Sequence, residues 1–275
     1  MWVFLEMRTI LLFACLTTLY ACNNNQDKQN QEKAAITYPS YITGLLKEID
    51  RFPDSAALRV QLIDTMDSLN LTKDAISQID SLIKRDPGNY GAWFRKGELA
   101  INISDTALAI RSFSSAANIY SNPDVILTLA NLYAAQKNKL ALELCNSVIA
   151  QKPDRTYIAH SYYIIGLFYA NTGNTGAAIE NFNTCIQQNY FYIDAYLEVG
   201  WIYFDQQKFT TAKEFFETAT AVKPTDARGH YWTAKCLEKL GNPQKALSAY
   251  QLAFNLDNSL LEASEAISRI KAAKK

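Results

Sequence analysis

Residues 193–226 read IDAYLEVGWIYFDQQKFTTAKEFFETATAVKPTD, and their spacing matches that of residues 159–192 directly before them. In both segments the eighth residue is Gly, the eleventh is Tyr, the twentieth is Ala and the twenty-fourth is Phe. A fixed period of this size is the sequence signature of stacked supersecondary units. The period of 34 residues therefore predicts a repeat architecture, against which the rest of the chain can be aligned.

The pattern suits two helices that pack closely in a hairpin. Small residues at the eighth, twentieth and twenty-seventh positions let the helices approach, and aromatic residues at the fourth, eleventh and twenty-fourth fill the space toward the next unit. Proline at the thirty-second position ends the second helix, because it cannot continue a helix. This pattern resembles the tetratricopeptide repeat, and the resemblance implies an all-α, right-handed solenoid of helical hairpins.

Aligned along the chain, the pattern gives about six units. The first unit lacks the aromatic residue and the glycine of its first helix, and the third is one residue shorter in its inner turn. The predicted units are 56–89, 90–122, 123–154, 159–192, 193–226 and 227–260. They form one solenoid domain, 40–275, in which residues 155–158 are a small insertion between the third and fourth units.

The two ends of the predicted solenoid carry additional helical patterns. Terminal units of a solenoid must shield their neighbours from water. Residues 260–273 have an apolar stripe and basic residues near the C-terminal end, which predicts an amphipathic capping helix. Residues 41–52, which precede Pro53, are expected to form a lone helix that packs on the first unit.

The N-terminal segment has the pattern of an export signal. An apolar stretch runs from Ile10 to Tyr20 after the positive charge of Arg8. It is too short to span a bilayer as a helix and has the length of a signal-peptide core. The sequence therefore predicts a signal peptide over 1–21.

The apolar stretch ends in Leu19-Tyr20-Ala21-Cys22, which resembles the bacterial lipobox. The resemblance implies that Cys22 is lipidated and becomes the first residue of the mature protein; ordinary cleavage beside an incidental cysteine is the alternative. The polar residues that follow predict a flexible tether over 22–39. Together these features predict an outer membrane lipoprotein of the bacterial cell envelope that faces the periplasm, with a surface-exposed orientation left open.

The charge balance argues against one class of partner. The chain has 27 Lys and Arg residues against 27 Asp and Glu residues. Proteins that bind nucleic acid usually present a basic stripe, and none is found here. No nucleic-acid partner is therefore expected. The resemblances to the tetratricopeptide repeat and the lipobox imply instead that the partners are proteins of the cell envelope and, through the lipid, the membrane.

Residues that could carry catalysis are sparse. The two histidines, His160 and His230, fall at non-equivalent positions two units apart, which disfavours a metal pair. No glycine-rich phosphate loop, Gly-x-Ser-x-Gly elbow or His-Glu-x-x-His motif occurs. We therefore expect no enzymatic activity, no metal and no cofactor. Among the cysteines, Cys145 and Cys185 could pair in an oxidising compartment or remain free core thiols.

The resemblance also implies where a partner binds. In tetratricopeptide stacks the first helices of the hairpins line a concave groove, chiefly through their second, fifth, ninth, twelfth and thirteenth positions. The groove predicted in this way is acidic at its start, aromatic in its middle and mainly basic at its end. The predicted groove residues are Phe94, Asn131, Tyr163, Leu167, Asn171, Leu197, Trp201, Phe204, Tyr231 and Lys235.

Tyr163, Trp201, Phe204 and Tyr231 are the expected anchors, because aromatic side chains give large contact areas with little rotamer entropy. No Lys stands at the fifth position of any unit, so the carboxylate clamp of chaperone-binding repeats is not expected. The leading hypothesis is a membrane-anchored interaction scaffold that binds a peptide or helix of a partner protein. A small-molecule or glycan binder is the alternative, since the aromatic residues could stack on sugar rings.

Overall fold

The computed structural model of the protein describes residues 38–272, and every regular element within them is an α-helix. The predicted signal peptide 1–21, the predicted lipidation site Cys22 and nearly all of the predicted tether 22–39 lie outside the described residues. Among the helices from residue 38 to residue 272, none combines the length and the apolar character needed to cross a membrane.

Fourteen helices, joined by short turns, make up the described chain. The first is α1, Ser40–Arg51, and the last is α14, Leu261–Ala272. The twelve between them are α2 Ala56–Ser68, α3 Thr72–Arg85, α4 Tyr90–Asn102, α5 Thr106–Ile119, α6 Pro123–Ala135, α7 Leu140–Ala150, α8 Arg155–Asn171, α9 Thr175–Gln188, α10 Ile193–Asp205, α11 Phe209–Val222, α12 Ala227–Lys239 and α13 Pro243–Leu256.

Each helix packs mainly against the helices directly before and after it in the chain. Each helix from α2 to α13 makes its most extensive contacts with one partner, α2 with α3, α4 with α5, and so on to α12 with α13, so these twelve helices form six hairpins. α1 packs on the first hairpin and α14 on the last. The predicted fold class, an all-α solenoid of about six helical hairpins with a C-terminal capping helix, is confirmed.

The fourth hairpin begins differently from the prediction. α8 starts at Arg155 because Asp154 caps it, with Oδ1 accepting the N–H of Thr156 at 2.7 Å. Residues 155–158, predicted as an insertion, are therefore the first turn of a longer first helix. The preceding helix α7 has 11 residues, whereas the second helices of the other hairpins have 14.

Contact between the eighth and twenty-fourth positions sets how closely the two helices of a hairpin pack. In three hairpins a glycine faces a phenylalanine ring, and a Cβ added to the glycine would lie 2.5–2.7 Å from the nearest ring atom. These pairs are Gly97 with Phe113, Gly166 with Phe182, and Gly200 with Phe216. The other hairpins use Ile63 with Ile79, Ala130 with Cys145, and Ala234 with Tyr250, each pair within one core cluster. In the three glycine hairpins, a larger side chain at the eighth position would therefore collide with the phenylalanine ring.

Each inner turn contains one residue in the left-handed conformation, and this residue is always the fifteenth of its unit. The six are Asn70, Ser104, Lys137, Gly173, Gln207 and Gly241, with φ between 58° and 82°. The turn is closed by backbone bonds such as Asp105 N–H to the carbonyl of Ala100 at 2.8 Å. These bonds satisfy carbonyl groups at the end of the first helix. The same backbone turn therefore recurs with glycine and without it.

The three cysteines of the solenoid are free and buried. Cys145 and Cys185, for which the sequence allows a disulfide, lie in different core clusters. Burial raises the pKa of each of the three thiols to about 12. They therefore act as small apolar core residues, which is the second of the two alternatives that the sequence allows.

Candidate partner-binding groove

The predicted groove residues lie on α4, α6, α8, α10 and α12, and we call the surface formed by the first helices of the hairpins the groove. Asn131 is exposed there; Phe94, Tyr163, Leu167, Asn171, Trp201, Phe204, Tyr231 and Lys235 are partly exposed. Leu197 is fully buried in the core cluster that contains Phe216. Contrary to the prediction, its side chain thus belongs to the core and presents no surface to a partner.

One of the two predicted amides already has a partner within the chain. The Nδ2 group of Asn171 on α8 donates to the carbonyl oxygen of Ala134 on α6 at 3.2 Å. Asn171 therefore joins the first helices of two adjacent hairpins. Asn131, which is exposed on α6, is the amide that could bond to a bound peptide backbone.

An aromatic cluster at the C-terminal half of the groove is centred on Trp232, a residue that was not among the predicted groove residues. Its ring stacks on Phe216 at a centroid distance of 5.8 Å. It also makes edge contacts with Trp201 at 5.9 Å, Phe204 at 5.3 Å and Tyr231 at 5.6 Å. Trp232 thus fixes the orientation of three of the four predicted anchors. Within the described chain the buried indole N–H of Trp201 has no hydrogen-bond acceptor.

The fourth predicted anchor, Tyr163, lies in a second aromatic cluster. Its ring centroid is 4.9 Å from that of Tyr192 and 5.6 Å from that of Phe182. His160 stacks against Tyr163, and its Nδ1 lies 2.5 Å from the hydroxyl oxygen of Tyr192. Burial lowers the pKa of His160, so the ring is neutral at pH 7 and acts as a packing and hydrogen-bonding residue. No group of three metal-ligating side chains occurs between residues 38 and 272.

Ion pairs change the charge distribution that the sequence suggested. At the start of the groove, the guanidinium of Arg95 lies 2.8 Å from Asp67, 3.3 Å from Glu98 and 3.6 Å from Asp64, which offsets part of the predicted acidic character. Arg95 is not among the predicted groove residues, because it stands at the sixth position of its unit.

At the other end of the groove, the predicted basic character is also reduced. Arg228 is paired with Asp194 at 2.8 Å and with Asp226 at 2.7 Å. These contacts raise the pKa of Arg228 and lower that of Asp226, in each case chiefly through their mutual hydrogen bond. Lys235 lies over the rings of Trp232 and Tyr231, with its Nζ 5.6 Å and 5.8 Å from their centroids.

One carboxylate in the aromatic half of the groove lacks such a partner. Glu198 on α10 is partly buried, and burial raises its pKa to about 7. Asp194 raises it further, whereas Arg228 acts in the opposite direction. Among residues 38–272, no group forms a hydrogen bond or an ion pair with the Glu198 carboxylate. The groove therefore contains a carboxylate whose charge the described residues only partly compensate.

A further pair of aromatic residues lies beside the groove. Tyr190 and Phe191 are exposed in the turn between α9 and α10, where the repeat pattern has proline in other units. Phe191 is 75% exposed. Phe191 borders a surface cleft together with Asp194 and Arg228, and the ring of Tyr190 contacts that of Tyr196 on α10.

Comparison with known proteins identifies the repeat. One family model described as "Tetratricopeptide repeat" matches residues 68–123 and 197–258, and a second with the same description matches 159–190. Together they span more than half of the chain. No curated protein matches the sequence.

Several solved structures are similar to this chain. A tetratricopeptide repeat protein from Parabacteroides merdae ATCC 43184 has 14% identity and a TM-score of 0.63, over 84% of this chain and 91% of that one. PilW, described as a widely conserved type IV pilus biogenesis factor, has 17% identity and a TM-score of 0.60, over 78% and 96%. The APC/C hetero-tetramer Cut9–Hcn1 has 17% identity and a TM-score of 0.56, over 84% of this chain and only 46% of that one. At these identities the similarity shows the fold alone.

Proposed function

Because the chain belongs to the tetratricopeptide repeat family, we propose that it is a non-enzymatic scaffold that binds a peptide or helix of a partner protein in the groove. The observation that carries the proposal is the row of partly exposed aromatic side chains on α8, α10 and α12. Their rings are held in place by contacts with one another, so a partner would bind them at little cost in side-chain entropy. The exposed amide of Asn131 adds a group that can pair with a peptide backbone.

A photo-crosslinking residue in place of Leu167 tests the groove directly. Leu167 lies on α8 between Tyr163 and Asn171 and is partly exposed. We expect the crosslinking residue at position 167 to form a discrete protein crosslink in intact cells. The Trp201→Ala, Phe204→Ala double variant should reduce that crosslink about tenfold or more, because it removes two anchor residues. Crosslinked partners are identified by mass spectrometry.

The matched control is the Tyr41→Ala, Phe52→Ala double variant, which removes two exposed aromatic rings on α1 and at its C-terminal end, away from the groove. It should leave the crosslink unchanged. Equal loss in both double variants would contradict the groove proposal. Saturable binding of an oligosaccharide by the purified protein, without a protein crosslink, would instead support the alternative of a small-molecule or glycan binder.

We further propose that the scaffold is anchored to the bacterial outer membrane through a lipid on Cys22 and faces the periplasm. The support is the apolar stretch Ile10–Tyr20 followed by Ala21-Cys22 and a polar segment. Stable attachment requires two lipid signals or more, which the acylation of lipoproteins supplies.

Metabolic labelling with a fatty acid tests the anchor. The wild-type protein should incorporate the label and sediment with outer membranes, and Cys22→Ser should lose both properties. Cys145→Ser is the control, because Cys145 is a buried core thiol and its loss should not affect labelling. A Cys22→Ser variant that is still labelled would contradict this proposal.

A further inference from the structure

The geometry around Glu198 suggests what kind of partner the groove accepts. Glu198 stands at the sixth position of α10, one helical turn after Asp194 and one turn before Trp201, so the three side chains share one side of the helix. On the neighbouring helices, Tyr163 of α8 and Arg228 of α12 are close enough for charge interactions with Glu198. Glu198 therefore shares the face of α10 that carries Trp201, and Tyr163 and Arg228 stand on the helices of the two neighbouring hairpins.

Among the described residues, no cation forms an ion pair with Glu198. Arg228 donates from Nη1 to Asp194 and from Nε and Nη2 to Asp226, so its hydrogen bonds go to two other carboxylates. Lys235, the next cation on α12, lies over Trp232 and Tyr231. By contrast, the carboxylates at the start of the groove have Arg95 as a shared counter-ion.

A carboxylate that the described residues compensate only in part, beside aromatic rings, has the chemistry to receive a cation. Rings attract an ammonium or guanidinium group through their faces, and a partly buried carboxylate adds a charge-assisted hydrogen bond. The chain shows the first of these interactions one helix further along, where Lys235 lies 5.6 Å from the ring centroid of Trp232. A metal ion is a poorer fit, since no group of three ligands occurs between residues 38 and 272.

We propose that Glu198 recognises a Lys or Arg side chain of the partner segment, placed between Tyr163 and Trp201. The proposal rests on the proposed function, because it names the chemistry of the segment that the groove binds. Charge complementarity between this carboxylate and a basic residue then fixes the register in which the segment lies along the groove. A segment without a basic residue would leave the carboxylate desolvated and unpaired.

A random peptide library displayed on phage, selected against the purified full chain, tests the proposal. Peptides that bind the wild-type protein should share a Lys or Arg residue. Glu198→Gln should weaken the binding of those peptides about tenfold or more, the loss expected for a hydrogen bond between charged groups. Glu180→Gln is the matched control, because Glu180 is exposed on α9, a second helix that does not form the groove.

The pH dependence provides a second readout on the same peptides. Among the described residues, the charged and titratable groups around Glu198 are Asp194 on its own helix, Tyr163 on α8, against which His160 stacks, and Arg228 on α12. Because Glu198 is protonated below about pH 7, binding by the wild-type protein should strengthen between pH 6 and pH 8. The Glu198→Gln variant should not show this change. Its fold is checked separately by urea unfolding.

The outcomes separate this inference from the proposed function. Selected peptides that need Trp201 and Phe204 but share no basic residue, or bind Glu198→Gln as well as the wild type, would overturn the role of Glu198 and leave the groove proposal intact. If no selected peptide depends on Trp201 and Phe204, the groove proposal fails and the inference fails with it.

Discussion

Gly200→Ala is expected to lower the free energy of unfolding by about 2–3 kcal/mol, although alanine forms helices better than glycine. The added methyl group would lie 2.5 Å from Cε1 of Phe216, whose ring is fully buried. That ring cannot easily move away, because the indole of Trp232 is stacked on it at 5.8 Å. Urea unfolding followed by circular dichroism measures the change.

Gly44→Ala is the matched control for this prediction. Gly44 is also inside a helix, α1, but it is exposed and an added Cβ would meet nothing within 4 Å. This substitution should raise the free energy of unfolding by about 0.5–1 kcal/mol. Combining Gly200→Ala with Phe216→Leu should restore part of the loss, because the smaller side chain leaves room for the methyl group. Equal shifts for Gly200→Ala and Gly44→Ala would falsify the packing argument.

Trp232→Ala is expected to destabilise the C-terminal part of the solenoid by about 3 kcal/mol, within the range for removal of a large aromatic side chain. Trp232 stands on α12 and packs against Phe204 and Phe216 of the preceding hairpin. Stability in a solenoid is approximately a sum of unit terms and interfaces between neighbours. Because this substitution weakens one interface, α12–α14 should open before the rest of the chain.

Native-state hydrogen exchange distinguishes local from global destabilisation. The amides of α12–α14 should exchange faster in Trp232→Ala, whereas those of α4–α7 should keep their protection. Phe191→Ala provides the control, because its ring is 75% exposed and its removal should change stability by no more than about 0.5 kcal/mol. A uniform loss of protection along the Trp232→Ala chain would show that the solenoid unfolds as one unit.

The fold could be predicted from the sequence because small and aromatic residues recur with a fixed period. That period alone does not determine where each helix begins. Residues 155–158 do not fit the period, which predicts an insertion, yet Asp154 caps a helix there and the four residues form its first turn. The sequence signal for this helix start is Asp154, a residue type that caps helices, directly after Pro153.

The site was less predictable, since the groove positions transferred from the family left out the sixth residue of each unit. Arg95, Glu198 and Trp232 all occupy this position and carry much of the charge and aromatic surface of the groove. Leu197, at the fifth position, was included although it is buried in the core. The pairing of Arg228 with Asp194, which are 34 residues apart, depends on how adjacent units approach each other in space.

The left-handed residue at the fifteenth position of every hairpin has a consequence for how such a chain can diversify. Because the turn occurs at the same point in each full-length unit, duplication or exchange of a whole unit keeps the eighth and twenty-fourth positions opposite each other. A recognition residue at the sixth position would travel with its unit to a new place along the groove. New specificities are therefore most readily acquired by joining chains at the boundaries between hairpins.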